Sequence, residues 1–513
     1  MSSPPSVCVP SRVLIVGGGT AGWMCAALLH HAWSPLGTRV TLIESDAIGI
    51  IGVGEGSTPK MRRFFARLGI SEEEWMPACN ASYKCGIRFP HWSTRPGYES
   101  YYHPFFTASD DPYIRGFHHN ARLRQHGIDV QANPDHYFPS NWAAKRRRAP
   151  LPPARLGYQA DYAYHFDARL IGEFLRRWAT ARGVEHLVDT VTAVERRADG
   201  GIASVTAARR GPLSAELYVD CTGFASLLIC RTLAVPFLSY KPYLFNDRAV
   251  AMPTPHEDPA SLPSETLSLA MNCGWAWKIP LTNRYGNGYV YASDHLDEAA
   301  AERELRAHLK CFDDKVEARH LKMRVGRVER SWEHNCVAIG LAQGFVEPLE
   351  ATALMIVQDT IEQLVAAHAT AGDGRRRQDE FNQKVNRIYD AIRDYLYVHY
   401  KLSSRSDTAY WIAARENPTM SDSVASIFEV WDSGGDLLAE IQRQSAQMAY
   451  SPTSWFCILA GMGRFPKKPR KPTHKHHAVD PEAARKACLE LVQQFPDHRS
   501  VLDGMRARIA PAA

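Results

Sequence analysis

A glycine-rich turn between two hydrophobic runs constrains this chain more than any other feature. The motif Gly17-Gly-Gly-Thr-Ala-Gly22 directly follows the β-branched run Arg12-Val-Leu-Ile-Val16. The apolar segment 23–33 is typical of a helix, and Arg39-Val-Thr-Leu-Ile-Glu44 predicts a second buried strand. Strand, turn, helix and strand in this order predict a β-α-β unit with parallel strands.

The spacing of the glycines suits the binding of a dinucleotide. Gly17 permits a sharp exit from the strand, Gly19 lets backbone N–H groups approach a pyrophosphate, and Gly22 lets the helix pack against the sheet. The helix N-terminus adds a partial positive charge. Glu44 ends the second strand, where its carboxylate can accept hydrogen bonds from a ribose and disfavours a 2′-phosphate. The alternative is a turn that binds nothing. The predicted contacts in the turn are Gly17, Gly19, Thr20, Ala21 and Gly22.

Two later segments favour FAD over a nicotinamide cofactor. Tyr218-Val-Asp-Cys-Thr-Gly-Phe224 resembles the second strand-turn element with which FAD-dependent monooxygenases hold the flavin. Val337-Ala-Ile-Gly340 resembles a third strand that ends beside the ribityl chain. No second glycine motif is present for NAD(P)H, so we predict one FAD bound by three separated segments. Asp220, Gly340 and Leu349 complete the predicted cofactor contacts.

Composition excludes several classes of protein. Of 513 residues, 45% are hydrophobic and 22% charged, which is an ordinary globular mix. The net charge of +5 is too small to imply a polyanionic partner. We therefore interpret the basic runs 145–148, 375–377 and 466–477 as solvated loops, and His474, His476 and His477 as loop residues and not metal ligands.

The same reasoning gives an expected location. No run of apolar residues is long enough to span a membrane, and residues 1–10 lack the features of a signal peptide. Eleven cysteines without a CxxC pair are typical of reduced thiols. We expect a cytoplasmic protein that binds neither nucleic acid nor membrane. Two further turns are predicted, at Asn287-Gly288 between two strands and at 372–377 as a polar loop.

Several motifs together resemble the flavin-dependent tryptophan and indole halogenases. Gly17-Gly-Gly-Thr-Ala-Gly-Trp-Met24 is similar to the opening of that family, Gly274-Trp-Ala-Trp-Lys-Ile-Pro280 to its WxWxIP signature, and Phe345-Val-Glu-Pro-Leu-Glu350 to the segment before its catalytic glutamate. Segments 54–59, 164–168 and 457–461 fit as well, so the resemblance runs from about residue 11 to 466.

The predicted fold is α/β. We expect an FAD-binding, Rossmann-like module of the monooxygenase (GR2) type over residues 10–370, with a β-sheet and a substrate-lining insertion at about 90–160. A mainly helical substrate-covering module is expected over 371–513, and the two parts are expected to form one compact unit, as a monomer or homodimer.

The resemblance implies an FADH2-dependent halogenase. O2 and halide, chloride or bromide, would give hypohalous acid at the flavin, and this would pass through a tunnel to a separate pocket. A lysine and a glutamate there would direct electrophilic halogenation of an indole-type arene, and a separate flavin reductase would supply FADH2. An FAD-dependent aromatic hydroxylase is the alternative enzyme, and a non-catalytic flavin-binding protein is a third reading.

The resemblance also implies roles for individual residues. Lys84 matches the catalytic lysine, acting as an ammonium or as a haloamine, and Glu350 matches the carboxylate that faces it. Glu347 would support the site or form an ion pair. Trp275 and Trp277 lie on one side of a strand and would either shield the flavin from organic substrates or pack in the core.

The halide is expected at the backbone N–H groups of Thr352 and Ala353, where a long helix begins. This chain has alanines at 351 and 353 where the tryptophan enzymes usually have serine and glycine. If position 353 needs a positive φ, Ala353 adds strain of about 1 kcal/mol.

Aromatic residues are candidates for the substrate pocket. His103, Phe105, Trp455 and Phe456 could sandwich a flat arene or could equally belong to the core. Gly-Ser-Thr at 56–58 replaces the usual Ala-Thr-Val of the tryptophan enzymes, and groups for the charged end of an amino acid are not evident. Both points favour a smaller or different indole, or another arene.

Overall fold

The computed structural model describes residues 9–46, 54–313, 315–369, 374–467, 469 and 477–509. Within these ranges the strands are, in chain order, β1 (Arg12–Val16), β2 (Arg39–Glu44), β3 (Gly54–Gly56), β4 (Ser82–Lys84), β5 (Gly86–Pro90), β6 (Ser100–Pro104), β7 (Ala163–Asp167), β8 (Glu185–Val188), β9 (Val191–Arg196), β10 (Ile202–Ala207), β11 (Gly211–Leu213), β12 (Leu217–Asp220), β13 (Phe237–Ser239), β14 (Arg248–Thr254), β15 (Thr266–Met271), β16 (Gly274–Pro280), β17 (Tyr285–Tyr291), β18 (Arg319–Lys322), β19 (Gly326–Val328), β20 (Trp332–Glu333), β21 (Cys336–Ala338) and β22 (Gly344–Phe345).

The α-helices of the same ranges are α1 (Thr20–Trp33), α2 (Lys60–Leu68), α3 (Glu72–Trp75), α4 (Asp111–Gln125), α5 (Pro139–Lys145), α6 (Ala168–Thr180), α7 (Glu298–Leu309), α8 (Ala353–Ala369), α9 (Gly374–Leu402), α10 (Ala409–Glu416), α11 (Asp422–Asp432), α12 (Leu437–Arg443), α13 (Pro452–Gly461), α14 (Pro481–Val492) and α15 (His498–Ile509). A short π-helix occupies Leu227–Thr232.

The predicted β-α-β unit lies at the centre of a six-stranded sheet. Its strand order is β20-β21-β12-β1-β2-β8, and β1 runs parallel to both β2 and β12. The strand containing Tyr218–Asp220 therefore lies beside β1, and the strand ending at Ala338 lies beside that. The three sequence segments assigned to the cofactor thus meet at one edge of one sheet, where the parallel strands end.

A second sheet, of seven strands, carries the tryptophan pair. Its order is β18-β14-β17-β16-β15-β5-β6, with β16 and β17 antiparallel. The turn predicted at Asn287-Gly288 is wrong, since both residues lie within β17 and the connection between the strands is 281–284. A Cβ on Gly288 would lie 2.1 Å from the indole of Trp277, so the glycine makes room for that ring and does not form a turn.

The C-terminal third is mostly helical, as predicted. The interpretation of 375–377 as part of a loop is wrong, because α9 begins at Gly374 and includes these arginines. Residues 370–373, and most of the basic segment with His474 and His476, lie outside the described residues. The inner face of α9 joins the same hydrophobic core as α1 and β1, through side chains such as Ile392 and Leu396.

No described helix combines the length and the apolar character needed to cross a membrane. The ten cysteines within the described ranges are free thiols.

Candidate active site

The glycine turn is built to leave the first turn of α1 accessible. Gly17 has φ of +110°, and a Cβ there would lie 2.2 Å from the carbonyl oxygen of Cys221. A Cβ on Gly22 would lie 2.0 Å from the carbonyl oxygen of Gly17, whereas nothing lies within 4 Å of a Cβ on Gly19. Gly19 is the N-cap of α1 and supplies no side-chain cap. The open side of the turn and the free N–H groups therefore fit a pyrophosphate.

The neighbouring predicted contacts lie around this turn. Glu44, the residue expected to bind a ribose, accepts a hydrogen bond from His186 Nε2 at 2.8 Å. One of its two carboxylate oxygens is therefore already paired within the protein. Thr20 donates its hydroxyl to the carbonyl of Ala168 at 3.1 Å. Ala21 packs against Gly340, where φ is +71° and a Cβ would lie 2.7 Å from that of Ala21. Gly340 therefore allows the third segment to approach the glycine turn closely.

Asp220 contacts backbone groups of its own segment. Its Oδ1 accepts from the N–H of Thr222 at 3.0 Å, and its Oδ2 accepts from the N–H groups of Leu228 and Ile229, each at 2.8 Å. Burial raises the pKa of this carboxyl, and these hydrogen bonds oppose the rise. Asp220 thus holds the turn 221–226 and the π-helix in place, which makes its effect on a cofactor an indirect one. Leu349 is buried in the core.

Lys84 is a fully buried lysine at the end of β4. Its Nζ donates to the carbonyl oxygen of Ser57 at 3.0 Å and lies 5.7 Å from the centre of the Phe105 ring. Desolvation lowers the pKa of Lys84 to about 7, against the opposing effect of the Glu350 carboxylate. At neutral pH both the ammonium and the amine are therefore accessible forms, which is the property of a reactive lysine.

Glu350 is buried between two histidines. His103 Nδ1 lies 3.0 and 2.9 Å from its two carboxylate oxygens, and His399 Nε2 lies 3.1 Å from Oε1. Burial would raise the pKa of this carboxyl, but the two imidazoles outweigh burial and lower it to about 2. Glu350 is thus an anion over the whole physiological range.

The lysine and the glutamate belong to one site. The Glu350 carboxylate lies close enough to Lys84 to raise the pKa of the lysine, against the larger effect of burial. A Cβ on Gly56 would lie 3.2 Å from Lys84 Nζ and 3.6 Å from the Cβ of Ala351, the residue after Glu350. Gly56 therefore lies between the two functional segments and leaves space beside the ammonium, at a position where the sequence departs from the tryptophan enzymes.

Trp455 joins the aromatic surroundings of Glu350, but Phe456 does not. Trp455 meets the Tyr395 ring edge-on at 5.2 Å, and Tyr395 stacks on Tyr450 at 3.7 Å. His103 lies 5.9 Å from Tyr395. Phe456 instead stacks on His118 at 4.1 Å and is fully buried, which favours the core-packing alternative for this residue.

Trp275 and Trp277 pack side by side, with ring centres 6.2 Å apart. The indole N–H of Trp275 donates to Glu347 Oε2 at 2.8 Å, and the same carboxylate accepts from Tyr400 and Asn246. Burial raises the pKa of Glu347, and its hydrogen bonds oppose the rise. Glu347 therefore fixes the orientation of Trp275 and takes no part in an ion pair with a lysine or arginine of the described chain.

The segment 350–353 leads into the expected long helix. The helix α8 begins at Ala353, and the Thr352 carbonyl accepts from the N–H of Ile356 at 3.0 Å. Ala353 does not have a positive φ, so the condition under which it would add strain is not met; the positive φ of this segment, +57°, lies at Ala351. The hydroxyl of Thr352, the residue before the helix, is buried and has no hydrogen-bond partner among the described residues, so it is a donor that an anion can satisfy.

Sequence reasoning missed four residues of this site. His399, Tyr395 and Tyr450 come from the C-terminal third, and His165, beside Lys84, bonds Thr266 Oγ1 at 2.9 Å. Burial and the neighbouring Lys84 hold the pKa of His165 well below its usual range. His165 lies within the quoted segment 164–168, so that segment was the one available signal. Spacing along the chain carried no indication of the other three.

Comparison with known proteins gives a consistent result over nearly the whole chain. Residues 12–478 match the family model described as tryptophan halogenase. The tryptophan 6-halogenase SttH of Streptomyces toxytricini is 38% identical over 504 residues, covering 93% of each chain. The tryptophan 7-halogenase RebH of Lentzea aerocolonigenes is 35% identical over 490 residues, covering 89% of this chain and 90% of RebH.

Solved structures agree with these relatives. The crystal structure of the Streptomyces toxytricini tryptophan 6-halogenase superposes with a TM-score of 0.83 at 36% identity and covers 96% of this chain and 99% of its own. BrvH, a flavin-dependent halogenase from Brevundimonas sp. BAL3, superposes with a TM-score of 0.83 at 32% identity, covering 97% and 99%.

Proposed function

The chain belongs to the tryptophan halogenase family, and on that premise we propose that it is an FADH2-dependent halogenase of an indole-type arene. The resemblance predicted from the sequence and the predicted α/β, Rossmann-like fold class are confirmed. The relatives are named as halogenases, which supports the halogenase prediction and not the hydroxylase alternative or the non-catalytic one.

One observation carries the proposal. A buried lysine with a pKa of about 7 and a buried, anionic glutamate share one site, and the two are not in direct salt-bridge contact with each other in the described structure. Lys84 bonds a backbone carbonyl, Glu350 bonds His103, and His399 Nε2 lies 3.1 Å from a Glu350 oxygen. Both side chains therefore remain available to act on a substrate bound at this site.

The cofactor we propose is FAD, which the glycine turn would hold by its pyrophosphate, next to Glu44 and Gly340. When bound and reduced, it would supply with O2 and halide the hypohalous acid that the arene consumes. Trp275 and Trp277 form an aromatic surface that, in this proposal, keeps the arene away from the flavin. Glu347 keeps that surface in position through the indole N–H of Trp275.

Thr352 and Ala353 are the proposed halide ligands. The hydroxyl of Thr352 is buried without a partner among the described residues, and Thr352 immediately precedes the first residue of α8, where the first N–H groups of the helix have no partner within the helix. Hydrogen-bond donors at a helix N-terminus stabilise an anion. Chloride and bromide both meet this description, and we propose that either is used.

At the arene site, the Lys84 ammonium would donate a hydrogen bond to the oxygen of hypohalous acid, which makes its halogen more electrophilic. As the halogen bonds to an arene carbon, Lys84 gives its proton to the departing hydroxide and water forms. Glu350 takes the proton from the same carbon, and the electron pair of the broken C–H bond restores aromaticity. A positioned base of this kind contributes about 10²–10⁴ in rate.

The substrate we propose is tryptophan, free indole or a derivative of either. His103, Phe105 and Trp455, with Tyr395 and Tyr450, offer aromatic faces next to Lys84 and Glu350. The relatives are named for tryptophan. Gly56 leaves space at the lysine, which favours an arene whose shape differs from that taken by the tryptophan enzymes. The partner is a separate flavin reductase, since the chain shows no second dinucleotide motif for a nicotinamide.

Mass spectrometry of the products tests the proposal. The protein is supplied with FAD, a flavin reductase, NADH, O2, chloride or bromide, and a panel of tryptophan and indoles. We expect a product in which halogen replaces hydrogen. A gain of oxygen without halogen would establish the hydroxylase instead, and turnover of reduced flavin without any organic product from the panel would contradict an indole-type substrate.

Lysine variants separate oxidant production from its use. Lys84→Ala should lose the halogenated product while halide-dependent oxidant is still produced and captured by an added trap. Lys278→Ala is the matched control, because Lys278 pairs with Glu257 away from the site. Equal loss in both variants would contradict the role of Lys84.

A further inference from the structure

The end of α9 brings a second imidazole to the catalytic carboxylate. His399 is completely buried, and its Nε2 lies 3.1 Å from Glu350 Oε1. The rings of Phe89 and Trp92 pack around it at 4.9 and 5.8 Å. Within the described chain, Glu350 is the one charged side chain that forms an ion pair with His399. The imidazole therefore faces an apolar wall on one side and the catalytic base on the other.

The other nitrogen of His399 fixes where its hydrogen lies. Nδ1 is 3.1 Å from the carbonyl oxygen of Tyr395, one helical turn earlier. A carbonyl oxygen accepts hydrogen bonds and donates none, so Nδ1 carries a hydrogen. In the neutral imidazole, Nε2 then presents a lone pair to the carboxylate oxygen, and the two atoms form a hydrogen bond only when a proton lies between them.

His103 has a different relation to the same carboxylate. Its Nδ1 is nearly equidistant from the two oxygens of Glu350, at 3.0 and 2.9 Å. That position suits one N–H donor that orients the carboxylate, whereas His399 Nε2 lies close to a single oxygen and makes no hydrogen bond in the described structure. The two histidines are therefore not equivalent. His103 orients Glu350, and His399 can accept a proton from Glu350.

We propose that His399 is the proton acceptor behind Glu350, so that the proton removed from the arene passes from the carboxylate to His399 Nε2. This inference rests on the proposed function. The C–H bond of the halogenated carbon breaks and its electron pair returns to the ring. An O–H bond forms on Glu350 and breaks again as the N–H bond forms on His399. No oxidant or reductant is consumed in this step.

The relay solves a difficulty in the site. A proton placed on Glu350 would return to the arene unless a second group accepts it, and His399 Nε2 lies 3.1 Å from Oε1. Transfer to His399 restores the carboxylate and produces an imidazolium that pairs with it, with Nδ1 already bonded to Tyr395. Over the whole cycle, His399 gains the proton of the arene and Lys84 loses one to the departing hydroxide, so the number of protons held by the site is unchanged.

The test is a single-turnover isotope effect with His399→Gln. Glutamine has a similar length and an amide N–H that can still bond Glu350, but it cannot accept a proton. With tryptophan or indole deuterated at the halogenated carbon, we expect no isotope effect on product formation in the wild type. In the variant, loss of the C–H proton should become rate-limiting, with a primary isotope effect and a rate roughly 10- to 100-fold lower.

His368→Gln is the matched control. His368 Nδ1 bonds the Leu364 carbonyl at 2.9 Å in the same geometry one helix earlier, and its ring stacks on Trp332 and forms no ion pair with a described carboxylate. We expect the wild-type rate and no isotope effect. The rate constant does not depend on the amount of folded enzyme, so partial misfolding of the His399 variant does not hide the result.

The outcomes are distinguishable. A His399→Gln enzyme with the wild-type rate and no isotope effect would overturn the relay while leaving the halogenase proposal intact. A slower variant without an isotope effect would show that His399 positions Glu350 and does not accept its proton. If the wild type itself gives no halogenated arene, the proposed function fails first.

Discussion

Lys84 and Glu350 are both buried, yet their surroundings shift their protonation in opposite ways. Lys84 donates a hydrogen bond to a neutral carbonyl, that of Ser57, and burial lowers its pKa to about 7. Glu350 is met by two imidazoles that outweigh burial and lower its pKa to about 2. The site therefore keeps its acid near the midpoint of titration and its base fully ionised, which is the division of roles that acid–base chemistry at neutral pH requires.

The titration of Lys84 predicts a pH dependence for arene halogenation. As pH rises through about 7, the ammonium is lost, and with it the hydrogen bond to hypohalous acid. We expect the yield of halogenated product per reduced flavin oxidised to fall over this range. Halide-dependent flavin oxidation, measured in parallel, corrects for pH effects at the cofactor. A yield that rises with pH would favour the amine and a haloamine intermediate.

Glu350 predicts a pH dependence of stability. Its pKa is about 2 in the folded protein and near 4.5 when exposed, so the unfolded chain binds more protons between these values. The free energy of unfolding should therefore fall as the pH is lowered from 4.5 towards 2. In Glu350→Gln this contribution is absent. As the pH is lowered below 4.5, we expect the urea midpoint of the wild type to fall more steeply than that of the variant. Above pH 4.5 the two midpoints should change with pH in the same way. Parallel acid dependence in both proteins would contradict the pairing with the histidines.

Gly288 shows that a glycine typical of a turn can instead be required by a side chain on a neighbouring strand. The Asn287-Gly pair matches a hairpin turn, but the space that the glycine provides is taken by the indole of Trp277 on the neighbouring strand. We predict that Gly288→Ala displaces this indole, lowers the free energy of unfolding by about 1–3 kcal/mol, and increases loss of oxidant without arene halogenation.

Gly504 provides the control for this variant. It lies in α15, with no described atom within 4 Å of a Cβ placed there. Gly504→Ala should stabilise the protein by about 0.5–1 kcal/mol, as expected for a helix interior, without changing coupling. Unchanged product yield in Gly288→Ala would mean that the orientation of Trp277 does not matter for the reaction.

At the scale of elements, the parts predicted correctly are those set by local pattern. The strands β1 and β2 lie where hydrophobic runs place them, and α1 begins directly after the glycines. The long helix after Glu350 also follows from its apolar stripe, through Val357, Ile361 and Leu364. Local patterns could not reveal that Asp220 would cap a π-helix, because its partners Leu228 and Ile229 belong to an element with no simple sequence signature.

Asp220 gives a prediction about that element. In Asp220→Asn the amide nitrogen faces backbone donors, so one or two buried N–H groups lose an acceptor, at a cost of roughly 1–3 kcal/mol. The turn 221–226 should shift, and the affinity for flavin should fall. Flavin fluorescence titration and thermal unfolding measure the two effects. A loss of stability with unchanged flavin affinity would mean that this turn does not contact the cofactor.

On the scale of the whole molecule, the active site depends on long-range contacts that no motif reports. His103 and Glu350 are 247 residues apart in sequence, and His399 reaches the same carboxylate from α9. The next residue of that helix, Tyr400, donates a hydrogen bond to Glu347, so consecutive residues of α9 contact the two buried glutamates. The family motifs identified Lys84 and Glu350, but the partners that set their protonation are visible only when the helices are packed.

This arrangement predicts that residues before and after 370 do not fold separately, although the two-module division of the sequence stays a prediction. The inner face of α9 buries Phe381, Tyr389, Ile392 and Leu396 in the core that contains α1. Each such side chain contributes about 1.5–3 kcal/mol, so these four together contribute about 6–12 kcal/mol. That is comparable with the whole stability of a typical domain, about 5–15 kcal/mol. A chain ending at Ala369 should therefore lack a cooperative thermal transition and a near-ultraviolet circular dichroism signal.

Co-expression with residues 374–513 should restore both, because the second piece supplies the missing core together with His399 and Tyr400. A cooperative transition in the first piece alone would instead establish an independent cofactor module.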